Sequence, residues 1–220
     1  CDAGSYVDQT GQFECKLCPA NALSPIGSKK LQDCYCTPGY VGDPATGLPC
    51  TACKINYYKA NPGIGSCVAC PPKSFTYLTA SSSIQDCYCE PGYYAVGLDQ
   101  GQLTCERCLP GYFCKGGHAA MARCPTGMWS TAGNDTCQEC PFGSELADVP
   151  QSGTVQDCLC ARGYYSANND ASPPCAPCPT GFFKASTGLS SCLSCPAGTY
   201  AQVSPAVSTD SCKVCSGTYA

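Results

Sequence analysis

Gln85-Asp86-Cys87-Tyr88-Cys89-Glu90-Pro91-Gly92-Tyr93-Tyr94 sets two cysteines one residue apart and opens onto Gly-Tyr. The arrangement returns at Gln32-Asp33-Cys34-Tyr35-Cys36-Thr37-Pro38-Gly39-Tyr40 and at Gln156-Asp157-Cys158-Leu159-Cys160-Ala161-Arg162-Gly163-Tyr164-Tyr165. Recurrence in a fixed context makes the chain a repeat array. Working outward from the first of these stretches, Cys53, Cys67, Cys70, Cys87, Cys89 and Cys105 form a hexad, and Cys1, Cys15, Cys18, Cys34, Cys36 and Cys50 form another like it. Consecutive hexads are separated by two-residue joints.

This spacing predicts four modules, at 1–52, 53–107, 108–177 and 178–220. The third carries an extra cysteine pair, read as an inserted mini-loop at 109–123, and the pairing of Cys108, Cys114 and Cys124 stays open. The fourth runs Cys178, Cys192, Cys195, Cys212, Cys215, with Cys212-Lys213-Val214-Cys215 in place of Cys-x-Cys. It is expected to be truncated, with the partner of Cys215 beyond Ala220, so that the chain is a fragment of a longer protein.

Composition agrees with a small disulfide-rich fold. The 220 residues include 25 Cys, 23 Gly and 19 Pro, a cysteine share that marks a disulfide scaffold. Short segments poor in Leu, Ile and Phe cannot offset their chain entropy by burial, so crosslinks must reduce that entropy. Disulfides on this scale persist in oxidising compartments, which predicts a secreted, cell-surface location. With a net charge of −4 and 13% charged residues, there is no basic footprint for nucleic acid. No apolar run is long enough to insert in a membrane.

Segments after the cysteines read alike: Pro179-Thr180-Gly181-Phe182-Phe183-Lys184, Lys54-Ile55-Asn56-Tyr57-Tyr58-Lys59 and Pro125-Thr126-Gly127-Met128-Trp129-Ser130. Each is a Gly or Asn turn followed by a short strand whose side chains alternate in direction. One aromatic ring should cover a disulfide and its neighbour should face out. Tyr58, Tyr94, Tyr112, Phe113, Tyr165 and Phe183 are the contact candidates on this reading. Thr79–Ser83 and Ala167–Pro174 have loop composition and no helical period. The expected architecture is short β-hairpins with almost no helix, in an elongated, semi-rigid rod.

The hexad resembles the ephrin-receptor-like cysteine-rich repeat, a relative of EGF-like and tumour-necrosis-factor-receptor-like modules. The resemblance is carried by Cys50-Thr51-Ala52-Cys53, Cys67-Val68-Ala69-Cys70-Pro71, Cys192-Leu193-Ser194-Cys195-Pro196-Ala197-Gly198-Thr199-Tyr200 and the Cys-x-Cys-x-x-Gly-Tyr motif. It implies a place in receptor ectodomains, secreted multidomain proteins or long arrays on protist surface proteins, including those of flagellar hairs. An extended Cys-x-Cys sends its side chains to different strands, so its two cysteines need separate partners. Two pairing schemes remain, an EGF-like order and a sequential one. Both join Cys36 to Cys50, Cys89 to Cys105 and Cys160 to Cys175. For the rest, the resemblance implies the EGF-like order, with Cys53 bonded to Cys70 and Cys67 to Cys87.

No catalytic, cofactor or metal site is expected. Repeated Cys-x-x-Cys can hold zinc, but it recurs at the joints, and the matching Cys-x-Cys has no zinc logic. A thioredoxin-like site needs a helix N-terminus that the pattern lacks. The joints carry none of the acidic clusters that precede calcium-binding modules. His118, the single histidine, reads as a solvated loop residue rather than a catalytic base. Asn134-Asp135-Thr136 is a glycosylation sequon, so a glycan is an expected attachment. The expected function is a non-enzymatic structural segment, a stalk, spacer or filament-forming part that assembles with itself or with neighbouring modules. A receptor or adhesion ectodomain binding a protein ligand is the alternative.

Overall fold

The computed structural model describes residues 1–146, 153–167, 173–188 and 190–215. Of the two stretches expected as loops, Thr79–Ser83 has no strand or helix, while 168–172 of the second lie outside the described residues, as do 216–220 at the end of the fourth expected module. The chain divides into two compact units, 1–106 with 116–120, and 107–115 with 121–220. Within them the described residues form twelve two-stranded sheets, each pairing strands consecutive in sequence apart from the intervening loop. Among the described residues, helix is confined to single 3-10 turns such as Ile84–Asp86 and Val155–Asp157.

All twelve hairpins are built on one plan. We number them 1 to 12 by their leading cysteines, Cys1, Cys18, Cys36, Cys53, Cys70, Cys89, Cys108, Cys124, Cys140, Cys160, Cys178 and Cys195. After each leading cysteine the chain makes a reverse turn. In hairpin 4 the Tyr57 N–H donates to the Lys54 carbonyl at 3.1 Å, and in hairpin 11 the Phe182 N–H donates to Pro179 at 3.0 Å. The third residue past the cysteine takes the left-handed conformation that such a turn needs, as in Gly181 at φ 86° and Asn56 at φ 72°. A short strand follows, Tyr57–Tyr58 or Phe182–Phe183, and its partner is the pair of residues between the closing cysteine and the next leading cysteine, Val68–Ala69 or Leu193–Ser194. The joints between hexads, Thr51-Ala52, Glu106-Arg107 and Ala176-Pro177, likewise lie in return strands.

This geometry settles the pairing. Turn and return strand bring each leading cysteine beside the cysteine that closes its own loop, as with Cys53 and Cys67, whose Cα atoms are 5.8 Å apart. The structure bonds Cys53 to Cys67 and Cys70 to Cys87, which corrects the EGF-like order to the sequential one. Cys36 is bonded to Cys50, Cys89 to Cys105 and Cys160 to Cys175. Each disulfide closes one short loop, and no two loops interlock among the described residues.

Residues 109–123, expected as an inserted mini-loop, form hairpin 7, with strands Tyr112–Phe113 and Ala122–Arg123 in the usual register. Only its bond is unusual. Met121 stands where other hairpins of this kind have their closing cysteine, and Cys108 is bonded instead to Cys114.

The sixth residue after a leading cysteine is the inner position of the plan. Ser24, Lys59, Thr76, Cys114, Ser130, Ser166, Lys184 and Ala201 all occupy it, and all are buried. Its backbone stitches some neighbours together: in hairpins 1, 3, 7, 10 and 11 the turn residue donates its N–H to the inner carbonyl of the next hairpin. In the first unit Gly4 donates to Ser24 at 3.0 Å and Gly39 to Lys59 at 2.9 Å; in the second, Gly163 donates to Lys184 at 2.9 Å. At Gly39 in particular there is no room for a side chain, since a Cβ there would run into the Ala80 carbonyl and the backbone sits at φ +82°.

The Gln-Asp that precedes each Cys-x-Cys has a separate task. The Asp86 carboxylate accepts from the Ser82 and Ser83 N–H groups at 2.7 and 2.9 Å, capping the Ile84–Asp86 turn from behind. Asp33 and Asp157 do the same for Lys29 with Lys30 and for Gly153 with Thr154. In hairpin 12 the equivalent place is Ser211, at the end of the Thr209–Ser211 turn. Asp86→Ala is expected to lower stability by about 1 kcal/mol, the usual value of a lost cap. Thermal melts check this, and Asp210→Ala, which removes no such cap, should cost less.

Candidate interaction surface

The hairpin plan decides which rings are available to a partner. In hairpins 4 and 11 the strand is two residues long, too short to carry an alternating stripe, so the covered ring is the one that a neighbouring hairpin reaches. In hairpin 4, Tyr57 is 42% exposed, whereas Tyr58 packs on the Cys87, Cys89 and Leu103 cluster. In hairpin 11, Phe182 is 40% exposed, whereas Phe183 is 7% exposed, against Ala201 and Ala206. The outward rings are therefore Tyr57 and Phe182, and the expectation for Tyr58 and Phe183 is corrected.

In hairpin 6, Tyr93 packs on the same cluster as Tyr58, with the Lys73 ammonium 5.5 Å from its ring centroid. Tyr94 is half-buried, and its hydroxyl donates to the Glu106 carboxylate at 2.8 Å. That bond, with a smaller contribution from burial, raises the Tyr94 phenol above its ordinary pKa. Tyr112 and Phe113 are both half-buried, as are Tyr164 and Tyr165. The edge of the Tyr164 ring meets Phe142, with centroids 5.7 Å apart. Among the described residues, no ring–ring contact joins any of the six candidates within its own unit.

A different set of rings does converge, in the first unit. Phe75 and Tyr77 meet edge to face at 4.8 Å, Tyr77 and Tyr88 are 5.0 Å apart, and Tyr88 stacks on the His118 imidazole at 4.5 Å and 13°. Tyr88 lies opposite Phe75 across the hairpin 5 ladder. His118 is exposed. Its Nε2 lies 2.8 Å from the Cys87 carbonyl, so Nε2 carries the donating proton. Tyr77 and Leu78 are 64% and 75% exposed. The four rings form a continuous aromatic run on which a partner can lie. Sequence reading by adjacent pairs missed it, because its members come from three separate stretches.

Two buried lysines were also missed. Lys184 Nζ donates to the carbonyls of Cys160 at 3.1 Å, Tyr164 at 2.7 Å and Gly188 at 2.9 Å. Lys59 Nζ donates to the carbonyls of Asn61 and Gly63, both at 2.8 Å. Burial pulls both ammonium groups below the ordinary lysine range, while Glu145 pulls Lys184 back up. The signal lay in the sequence, as a lysine at the sixth place after Cys53 and after Cys178.

The thiols that a zinc site would use are consumed, for among the described cysteines all but Cys215 are in disulfides. Among the described residues no group of His, Cys, Asp and Glu converges as a metal cradle. No helix among them is long and apolar enough to cross a membrane.

Comparison with known proteins agrees with this architecture. Residues 39–87 and 163–212 match the family described as tyrosine-protein kinase ephrin type A/B receptor-like. Each match starts at a turn glycine, Gly39 or Gly163, and ends at the closing cysteine two hairpins further on, Cys87 or Cys212. Cysteine repeat modular protein A of Toxoplasma gondii is 27% identical over 250 residues, covering 94% of this chain and 8% of that protein. Sushi, von Willebrand factor type A, EGF and pentraxin domain-containing protein 1 of Rattus norvegicus is 28% identical over 186 residues, covering 82% of this chain and 5% of that protein. Ephrin type-A receptor 5 of Homo sapiens is 34% identical over 107 residues, covering 49% and 9%. The chain thus spans less than a tenth of the length of these curated relatives. By its disulfide loops and hairpins the chain is an array of cysteine-rich repeats, and over residues 39–87 and 163–212 it is similar to the ephrin-receptor-like family.

Proposed function

We propose that the chain is a non-enzymatic, extracellular structural segment: a stalk, spacer or filament-forming part of a larger surface protein, of the type found in protist flagellar hairs. The observation that carries this reading is the recurrence of like hairpins, each closing its own disulfide, with the turn N–H of hairpins 1, 3, 7, 10 and 11 bonded to the inner carbonyl of the hairpin that follows. A chain held by contacts between neighbours can lengthen without redesigning a core, which suits a spacer. Its crosslinks suit an oxidising exterior, and its partners are copies of itself or adjoining modules of the same protein. Negative-stain electron microscopy of the native material tests it. Regular filaments or long stalks are expected; isolated compact particles would overturn the assembly role.

The second reading, a receptor or adhesion ectodomain, draws on the solvent-facing run Phe75, Tyr77, Tyr88 and His118. The paired variant Tyr77→Ala, His118→Ala separates the two readings. Loss of cell attachment with unchanged filaments favours a ligand, and broken filaments favour assembly.

A further inference from the structure

Hairpins 1, 4, 7 and 8 end their loops in the same way, with a left-handed glycine four residues before the closing position: Gly11, Gly63, Gly117 and Gly133. Where a hairpin precedes them, the tip glycine donates its N–H to that hairpin's leading cysteine. Gly63 donates to Cys36 and Gly117 to Cys89 at 2.8 Å, and Gly133 to Cys108 at 2.9 Å. The next residue is thereby held at the tip of the loop. Gln12 and His118 are exposed there, and Ile64 is 85% exposed. In hairpin 8 the tip residue is Asn134, which is half-buried, followed by the exposed Asp135 and Thr136.

We propose that Asn134 is a site of N-linked glycosylation, placed for a sugar by the hairpin frame, in an inference that rests on the extracellular reading above. Three observations support it. The Asn134 backbone is already engaged, its N–H with Thr131 at 3.3 Å and its carbonyl with Cys114 at 3.1 Å, so the tip keeps its shape whatever the side chain carries. Its carboxamide has no hydrogen-bond partner among the described residues, so a sugar displaces nothing. Thr136 is exposed two residues on, and its hydroxyl makes only a long 3.5 Å contact with Asp135. The donor is a lipid-diphosphate-linked oligosaccharide. Asn134 Nδ2 forms a bond to the anomeric carbon and loses one proton, while the bond from that carbon to the diphosphate oxygen breaks and the lipid diphosphate leaves with its electrons.

The frame makes a sharper claim than the sequon alone. Ser66 stands in hairpin 4 where Thr136 stands in hairpin 8, so Ile64→Asn should create a second acceptor at the equivalent tip. The test secretes the full chain from a glycosylating eukaryotic cell behind a cleavable leader, then releases N-glycans enzymatically in 18O-water. The wild type should show a mobility shift and 18O-aspartate at position 134. Asn134→Gln should abolish the shift, Thr136→Ser should keep it, and Ile64→Asn should add a second. Secreted, disulfide-bonded chain with unmodified Asn134 overturns the inference while leaving the extracellular reading standing. A modified Asn134 together with an unmodified Ile64→Asn variant overturns the role given to the frame.

Discussion

Removing the Cys70–Cys87 bond by the double replacement Cys70→Ser, Cys87→Ser is expected to destabilise hairpins 5 and 6 by about 2–5 kcal/mol. Part of the loss is entropic, since the bond closes a loop with a sequence separation of 17. The rest reflects position: Cys87 is fully buried, and with Cys89 and Leu103 it forms the cluster on which Tyr58 and Tyr93 rest. Replacing Cys1 and Cys15 should cost less, because Cys15 is exposed and neither cysteine belongs to that cluster. Native-state hydrogen exchange should show protection lost around residues 74–96 and retained in hairpins 1 and 2, as expected when stability is a sum over neighbours. Loss of protection across the whole first unit would contradict that picture. Peptide mapping without reduction gives a simpler check, with Cys53 found bonded to Cys67.

The second large effect is expected at Lys184. Lys184→Ala removes the donor shared by three carbonyls, those of Cys160, Tyr164 and Gly188, and leaves a hole at a position only 1% exposed. The cost should be about 3 kcal/mol or more, from the cavity and from the loss of the ammonium donor at the Tyr164 and Gly188 carbonyls, whereas the Cys160 carbonyl keeps the Gly188 N–H. Lys184→Met fills the space without supplying a donor and should recover only part of it. Lys59→Ala removes the ammonium donor from two carbonyls rather than three, so its penalty should be smaller. Chemical denaturation of the three variants beside the wild type gives the order directly.

These two sites also show what the amino-acid pattern discloses. Cys-x-Cys demands separate partners because of strand geometry alone, and the turn after each cysteine announces itself by Gly or Asn, as at Gly181 and Asn56. The choice between EGF-like and sequential pairing was not legible. It depends on the residue pairs of Cys-x-x-Cys acting as return strands, and Val68-Ala69 and Gln138-Glu139 share no residue that says so. The aromatic phase was hidden for a related reason: whether Tyr57 or Tyr58 faces out is decided by the hairpin that packs alongside, not by the pair. Lysine at an inner position reads as a surface residue until the carbonyls of other segments are in place around it. The run from Phe75 to His118 required three segments to meet, which no local pattern encodes.

Hairpin 7 carries a consequence for how such proteins change length. It has the turn, strands and tip glycine of hairpins 4 and 8, yet it stands alone between two sets of three, with Met121 where a cysteine is expected and Cys114 taking over its bond. The increment by which the chain can grow is thus one hairpin, and the mark that keeps count is the left-handed turn residue rather than the thiol. A gene encoding such an array can gain or lose a single hairpin, or exchange one cysteine position for another, without moving the neighbours out of step. Alignments that count cysteines alone will misplace such events, whereas alignments anchored on the turn will not.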